Sequence, residues 1–270
     1  MEYDRDRLIK CLDYDGDLSA SERYVYNSIA YCVIRGILIH THIAPNKVTA
    51  FWGVLMLVSS LGFLLGDYRA DILCGIGWVF AYALDCADGP WARYSGLKSR
   101  RGDYIDGVNH RATYPLVMFC IGYRVFSDPS YSSIFEDVGL DVDPLAYLLL
   151  GVAAGICMVL IIDVGNIYNR ICPEKAFASN AGIAEVESRN VKDKERFKKI
   201  MRFSPAAFTN MIALMPVFAA LGRLDLFILF YGIAYLAGAA NRYAAFFRML
   251  PGTHQERAGH PSVCSSSHTV

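Results

Sequence analysis

The amino-acid sequence predicts an all-α integral membrane protein in which an interfacial amphipathic helix precedes six transmembrane helices. Two observations indicate this class: 54% of the 270 residues are hydrophobic, with a mean hydropathy of +0.28, and long apolar runs recur along the chain. A run of roughly 20 apolar residues crosses the hydrocarbon core of a bilayer as an α-helix. The 26 Lys and Arg balance the 26 Asp and Glu, so the overall charge gives no indication of a nucleic-acid partner.

The first element is the segment of residues 20–40. Ser19 and Glu22 form a capping-box pair at its start, and the apolar residues that follow are interrupted by Arg35, which suits a helix lying in the membrane interface. A seventh span is the alternative, but Arg35 would be costly at membrane depth. We therefore predict that residues 1–46 are a cytoplasmic N-terminal segment with an interfacial helix.

Six apolar segments follow, and we expect each to cross the membrane as a helix. They are residues 48–65, 71–92, 104–126, 145–168, 205–221 and 224–248. Residues 47–249 are accordingly predicted to form a six-helix transmembrane domain. The last segment, residues 250–270, is rich in Ser, His and Gly and is predicted to be a flexible cytoplasmic tail.

The charges of the connecting segments predict the orientation. Residues 93–103 and 170–202 are rich in Lys and Arg, whereas residues 127–144 carry acidic side chains and no Lys or Arg. Cytoplasmic loops are the ones that concentrate Lys and Arg. We therefore place the first two connectors and both termini in the cytoplasm, and the acidic connector outside.

Acidic residues stand where the second and third predicted spans meet at their cytoplasmic ends. Asp85 and Asp88 are three residues apart and share one helix face, while Asp106 and His110 are four apart and share another. Ionisable groups at membrane depth are expensive and are functional by default. Two such helices side by side would gather three carboxylates and an imidazole, an environment that suits hard divalent cations.

These residues resemble the signature of the CDP-alcohol phosphotransferases of phospholipid synthesis, D-x2-D-G-x2-A-R-x8-G-x3-D-x3-D. Seven of its eight fixed positions match, namely Asp85, Asp88, Gly89, Ala92, Arg93, Gly102 and Asp106. The last aspartate, which the family is understood to use as a general base, is His110 in this chain. A turn that contains Asn46, just before the first predicted span, also resembles the family.

The resemblance implies a membrane enzyme that transfers a substituted phosphate from a CDP-alcohol, above all a CDP-lipid, to an acceptor hydroxyl and releases CMP. It implies that Asp85, Asp88 and Asp106 hold Mg²⁺ or Mn²⁺, as one ion or two, against the diphosphate of the donor. Residues 47–249 are then the catalytic domain, with the active site facing the cytoplasm, and the protein is expected to be a homodimer.

Nucleotide contacts are expected around the same motif. Gly89 and Gly102 lack side chains, so the donor can approach the helix backbone closely there, and Ala92 and Asn46 belong to the same predicted binding set. Arg93 either pairs with a phosphate or with an acid of the cluster, or it extends towards the cytoplasmic surface as a positive-inside residue.

Asp106 and His110 are the predicted catalytic residues, and His110 has three interpretations. It is the base that deprotonates the acceptor hydroxyl, or a metal ligand, since imidazole suits transition ions better than magnesium, or a sign of lost activity. Asp163 lies at membrane depth and needs a partner; we considered that it orients His110 or replaces the missing carboxylate.

The motif does not identify the acceptor substrate. Four basic residues near cytoplasmic helix ends would suit a phosphorylated polyol, although the positive-inside bias explains them equally well; they are Lys47, Arg111, Arg170 and Arg242. A lipid alcohol is the alternative acceptor. The competing function is a catalytically silent relative that binds nucleotide or lipid as a regulator or partner subunit.

Overall fold

The computed structural model describes residues 4–12, 21–41, 43–132, 142–171 and 208–249, and the regular structure of these residues is entirely helical. Helix α1 is Arg5–Leu12. Helix α2 covers residues 22–41, where π-helical turns at Glu22–Tyr26 and Ile34–Leu38 alternate with α-helical Asn27–Val33 and Ile39–Thr41. The longer helices are α3 (Pro45–Gly62, continued by the 3-10 helix Phe63–Leu65), α4 (Tyr68–Ser95), α5 (Arg100–Ser127), α6 (Pro144–Ile171), α7 (Phe208–Ala220) and α8 (Leu224–Met249).

Four of the six predicted spans form helices that are long and apolar enough to cross a membrane: α3 with its 3-10 turn, α4, α6 and α8. They indicate an integral membrane protein. The other two differ from the prediction. Helix α5 has 28 residues, but its first turns are rich in charged residues, and α7 is an apolar helix of 13 residues within the described part of the chain, shorter than the roughly 20 that cross a bilayer.

The N-terminal segment is anchored to the bundle differently from the predicted capping box. Ser19 lies outside the described residues, and Ser21 makes no cap at the start of α2. Its Oγ donates instead to Oδ1 of Asn210 in α7 at 2.6 Å, and the Tyr26 hydroxyl donates to the Thr209 carbonyl at 3.0 Å. Side-chain hydrogen bonds therefore attach the start of α2 to the start of α7.

The predicted domain boundaries lie between residues 46 and 47 and between residues 249 and 250. The division between residues 46 and 47 falls in the first turn of α3, which begins at Pro45 because proline favours the first helical position. The predicted tail of residues 250–270 lies outside the described residues, as do residues 172–202 of the basic connector and residues 133–141 of the acidic one.

Local sequence signals set the ends of α4 and α5, the helices that carry the motif. Asp67 caps α4, since its side chain accepts from two first-turn amides at 2.8 and 3.0 Å. Gly96 follows the last residue of α4 as its C-cap, and its φ of 72° is the left-handed conformation that glycine adopts without penalty. Ser99 then caps α5 by accepting from the Gly102 amide at 3.1 Å. A short connector therefore reverses the chain.

A buried ion pair joins the opposite ends of the same two helices. Asp71 in the first turn of α4 is fully buried, and Arg124 of α5 donates from Nε to its Oδ2 at 3.0 Å. Arg124 also donates to Asp128 at 2.7 Å, and this hydrogen bond lowers the pKa of the Asp128 carboxyl. Since leaving either buried charge unpaired would be strongly unfavourable, the pair holds α4 and α5 antiparallel.

Helices α5 and α6 approach closely through small residues. A Cβ at Gly151 would lie 2.5 Å from the carbonyl oxygen of Met118, and one at Gly155 would lie 2.9 Å from Pro115. Small residues permit such backbone contacts between helices in a membrane. Around this pair, α8 packs on α6, α7 packs on α4, and α3 packs on both α4 and α5.

We predict that Gly151→Ala destabilises the protein, because the added methyl group has to displace backbone of α5, at a cost of about 1–3 kcal/mol. Gly165→Ala in the same helix is the matched control. The nearest neighbours of its Cβ would be the ends of two side chains, Arg242 Nη2 at 3.4 Å and Phe246 Cζ at 3.8 Å, and alanine is the better helix former. The apparent melting temperature in detergent should fall for the first variant and not for the second. Equal values would contradict this account of the α5–α6 contact.

Candidate functional site

The predicted site residues line one cavity, which lies where α4 ends and α5 begins and has a volume of about 270 Å³. We call it the acidic cavity. Its lining includes all nine residues predicted to be catalytic, metal-binding or nucleotide-binding: Asn46, Asp85, Asp88, Gly89, Ala92, Arg93, Gly102, Asp106 and His110. Thr49, Lys98, Ser99 and Asp103 also line it. The fold therefore brings together residues from three helices that the sequence assigns only to separate helix faces.

Two carboxylates and an imidazole form the tightest group in the cavity. Asp85, Asp106 and His110 each offer a ligand atom within 4.8 Å of the others. His110 Nε2 lies 3.1 Å from Asp106 Oδ1, one turn away on α5, and 3.6 Å from Asp85 Oδ1 on α4. Asp85 is the least exposed of the three side chains, at 14%, and Asp106 the most exposed, at 41%. The group therefore extends inward from the mouth of the cavity.

Asp88 has different partners from those expected, because α3 holds it. Its Oδ2 accepts from Thr49 Oγ1 at 2.7 Å and from Trp52 Nε1 at 2.8 Å. The prediction grouped Asp88 with Asp85 and Asp106, but the structure places the nitrogen of His110 closest to those two. Asp88 faces the same cavity with an orientation set by α3.

Sequence reasoning missed Thr49 and Trp52. Trp52 is fully buried, donates to Asp88, and lies against the His110 ring with 5.0 Å between ring centroids. One signal was available for Thr49, which is a polar residue in an apolar span one turn after Asn46. No signal distinguishes Trp52 from an ordinary core aromatic residue.

His110 presents a single nitrogen to the cavity. Its ring lies between Trp52 and Tyr114, with centroid distances of 5.0 and 4.8 Å. Nδ1 is buried and has no hydrogen-bond partner among the described residues. Nε2 is therefore the atom that faces the carboxylates and that any ligand in the cavity would meet.

The two motif glycines have different surroundings. A Cβ at Gly102 would lie 2.6 Å from Asn46 Oδ1, which also accepts from Ser99 Oγ at 3.0 Å. Glycine at position 102 thus lets α3 and α5 come together. A Cβ at Gly89 would meet only Arg93 Nη1, at 3.5 Å, so Gly89 leaves open space on the cavity wall.

No model of a known protein family and no curated protein matches this chain. The resemblance to the CDP-alcohol phosphotransferases therefore stays a prediction that depends on the signature residues and their surroundings.

Two charged residues outside the tight group have partners that sequence reasoning did not assign. Arg93 lines the cavity and donates from Nη2 to the Cys11 carbonyl of α1 at 2.8 Å. Asp163 accepts from Nε and Nη2 of Arg111, at 3.0 and 2.5 Å. The partner of Asp163 is thus Arg111, and the hypothesis that it orients His110 is wrong.

The four basic residues considered for the acceptor are not among those that line the acidic cavity.

The donor set fits a divalent cation. Ligand atoms that lie 2.0–2.6 Å from one ion are separated by up to about 5 Å, and the three atoms of Asp85, Asp106 and His110 meet this limit. Carboxylate oxygens suit Mg²⁺ and Mn²⁺, and the imidazole nitrogen shifts the preference towards Mn²⁺ and other transition ions. Asp88 and Asp103 add acidic groups to the same lining.

We predict that the purified protein binds Mn²⁺ and that Asp85→Asn or Asp106→Asn weakens binding by roughly tenfold or more, since even partners outside the ligand set are worth that much. Titration followed by electron paramagnetic resonance of Mn²⁺ would measure this. Asp103→Asn is the matched control, because Asp103 lines the same cavity outside the tight group and its loss should change the affinity little. Undiminished binding by both test variants would eliminate the site.

Proposed function

We propose that this protein is a membrane-embedded CDP-alcohol phosphotransferase, which transfers a substituted phosphate from a CDP-alcohol, and from a CDP-lipid in particular, to an acceptor hydroxyl and releases CMP. One observation carries the proposal: the seven matched signature residues, Asn46 and His110 all line the same small cavity. Their sequence spacing alone did not require this. The proposal also gives a chemical role to His110, the one residue that departs from the signature, as the base that accepts the proton of the acceptor hydroxyl.

Binding of the donor follows from the cavity wall. Asp85, Asp88 and Asp106 would hold Mg²⁺ or Mn²⁺, as one ion or two, and the ion would supply positive charge to the diphosphate. The hydrogen bonds from α3 keep the Asp88 carboxylate in one orientation. The open space beside Gly89 admits the nucleotide close to the backbone of α4.

His110 is assigned the proton transfer instead of metal ligation, because Nε2 is its nitrogen on the cavity side and one lone pair cannot serve both roles. The acceptor oxygen attacks the phosphorus that carries the alcohol substituent, and its proton passes to Nε2. The bond from that phosphorus to the bridging oxygen breaks, and CMP leaves with the electron pair. Asp106, 3.1 Å from Nε2, stabilises the imidazolium that forms.

The proposed membrane arrangement has α3 to α8 as six crossings and α2 as an interfacial helix. Arg35 is on the exposed side of α2, where an interfacial position keeps its charge in water. The basic connectors face the cytoplasm, so the acidic cavity opens to soluble substrates on that side. We further propose membrane lipid as a reactant and a homodimer as the assembly, with no nucleic-acid partner.

One observation favours a second candidate, a catalytically silent relative that binds nucleotide or lipid as a regulator or partner subunit. His110 Nε2 lies between two carboxylates. A protonated His110 would offset their charge without a bound cation, and the cavity would then be stable without metal. This candidate binds ligand and releases no CMP.

We predict divalent-metal-dependent CMP release when the purified protein is given CDP-diacylglycerol with a panel of polyol phosphate and lipid alcohol acceptors. Asp88→Asn should lower the rate on the order of a hundredfold or more, because a preorganised electrostatic group is lost. Asp103→Asn is the control and should keep most of the rate. Full activity of Asp88→Asn, or wild-type activity in EDTA, would refute the proposed chemistry.

Variants of His110 in the same assay separate the two candidates. His110→Ala should abolish transfer while donor binding persists, and His110→Asp should restore part of the rate by recreating the signature. If the wild-type protein releases no CMP but His110→Asp does, the silent relative is the correct reading.

The orientation has a separate test. Leu97 in the α4–α5 connector is 57% exposed and Ser130, beyond the end of α5, is also exposed. In a background without native cysteines, Ser130→Cys should react with a membrane-impermeant thiol reagent in intact cells, and Leu97→Cys only after permeabilisation, because the connector before α5 is basic. The reverse pattern would place the acidic cavity on the outer face.

A further inference from the structure

A single side chain contacts both halves of the proposed reaction site. Trp52 of α3 is fully buried and donates from Nε1 to Asp88 Oδ2 at 2.8 Å. The same indole lies against the His110 ring, with 5.0 Å between the ring centroids and 34° between the ring planes. Asp88 is a proposed metal-binding residue and His110 is the proposed base, so one rigid ring system contacts a group of each kind.

The orientation of the Asp88 carboxylate is set from α3. Its Oδ2 accepts from Trp52 and also from Thr49 Oγ1, at 2.7 Å, and the two donors lie one turn apart on the same helix face. Hydrogen bonds to an ionised acceptor are the stronger kind. The carboxylate therefore loses two such bonds if it rotates, and removing either donor loosens it.

The orientation of the His110 ring is set by packing. Catalytic imidazoles are usually oriented by a hydrogen bond to the ring nitrogen that faces away from the substrate, but Nδ1 of His110 is buried and has no hydrogen-bond partner among the described residues. Trp52 and Tyr114 pack against the ring instead, the latter with 4.8 Å between centroids. Tyr114 belongs to α5, one turn after His110, so Trp52 is the aromatic contact that fixes the ring relative to α3.

The helices on either side of this contact are also held together independently of the indole. Asn109, the residue before His110, donates to the Thr49 carbonyl at 2.9 Å. Gly53, the residue after Trp52, leaves the space that the Asn109 side chain occupies. Replacing Trp52 should therefore keep α3 against α5 and remove only what the indole itself contributes.

We propose that Trp52 is a positioning residue that fixes Asp88 and His110 relative to each other, with its indole N–H on the carboxylate and its ring on the imidazole. The roles of Asp88 and His110 rest on the proposed function. The role of Trp52 goes beyond the signature, which begins at Asp85 and does not include α3.

Two variants of Trp52 separate its two contacts. Trp52→Phe removes the N–H and keeps an aromatic ring beside His110. It should weaken Mn²⁺ binding by about tenfold, as the loss of a partner to a metal ligand does, and should keep kcat within about threefold at saturating Mn²⁺ and donor. Thr49→Val removes the other hydrogen bond to Asp88 and should have the same effect.

Trp52→Leu removes both contacts of the indole. It should weaken Mn²⁺ binding as Trp52→Phe does and should also lower kcat on the order of tenfold or more, because the base is no longer held in line with the acceptor. Partial recovery of kcat by the conservative variant Trp52→Phe would assign this loss to the ring that packs on His110.

The matched control is Trp78 of α4. It is as buried as Trp52 and donates its Nε1 to a neutral partner, Ser60 Oγ, at 3.1 Å, and it is not among the residues that line the acidic cavity. Trp78→Phe and Trp78→Leu remove the same atoms from the bundle. They should lower the melting temperature as the Trp52 variants do, with Mn²⁺ affinity and kcat close to the wild-type values.

The experiment uses the purified full-length chain in detergent, with Mn²⁺ affinity from electron paramagnetic resonance and kcat from CMP release with CDP-diacylglycerol. Unchanged Mn²⁺ affinity in Trp52→Phe and Thr49→Val, or an equal loss in Trp78→Phe, would overturn the proposal, because the indole N–H would then have only a packing role. Equal kcat of Trp52→Leu and Trp52→Phe would overturn the contact with His110.

Failure of the proposed function gives a different result. A wild-type protein that binds Mn²⁺ but releases no CMP would refute the transfer reaction, and the positioning of a base would be refuted with it. The Mn²⁺ affinities of the Trp52, Thr49 and Trp78 variants would still decide whether Trp52 positions Asp88. Trp52→Phe and Thr49→Val decide the same point if Trp52→Leu does not fold.

Discussion

The structure depends on a single electrostatic constraint: several carboxylates must share a small volume at one end of an apolar helical bundle. Charges are costly there unless they are paired, hydrogen-bonded or neutralised by a cation. The chain meets this constraint by three means. Asp88 accepts two hydrogen bonds from α3, Asp106 and Asp85 lie within 3.6 Å of His110 Nε2, and the remaining acidic charge faces an open cavity.

Three other acids of the described helices provide a contrast, because each is paired with an arginine. Asp71 is paired with Arg124, Asp163 with Arg111, and the fully buried Asp225 with Arg223, whose Nε donates to it at 3.0 Å. Such pairs compensate charge within the protein. In the acidic cavity four aspartates face three basic residues, namely Arg93, Lys98 and His110. This excess of acidic groups supports the proposed cation site over another structural ion pair.

Packing maintains the geometry of the cavity. Asn109 of α5 donates to the Thr49 carbonyl of α3 at 2.9 Å, and Gly53 makes room for it, since a Cβ there would lie 2.3 Å from Asn109. Gly102 does the same for Asn46. These contacts place α3 against α5 beside the acidic cavity. Trp52 of α3 thereby contacts both Asp88 and His110. A rigid second layer of this kind is what keeps charged side chains in a productive arrangement.

Much of the molecule was accessible from the sequence alone, because the determining signals are local. The apolar runs predicted the long helices, and helical spacing placed Asp106 and His110 on one face. The caps Asp67, Gly96 and Ser99 were not used as signals, and α4 and α5 extend beyond the predicted spans 71–92 and 104–126. Helix α5 contains the span predicted at 104–126, but charged residues in its first turns make it less apolar than the four helices that suit a membrane crossing.

Contacts between helices were decided only by the tertiary structure. Helical periodicity gives the face on which Asp163 or Asp88 lies but not the neighbour that this face meets. The pairing of Asp163 with Arg111 and the hydrogen bond from Trp52 to Asp88 therefore could not be predicted from spacing. Local propensity acts along the chain, whereas the identity of a partner across helices depends on how the whole bundle fills its core.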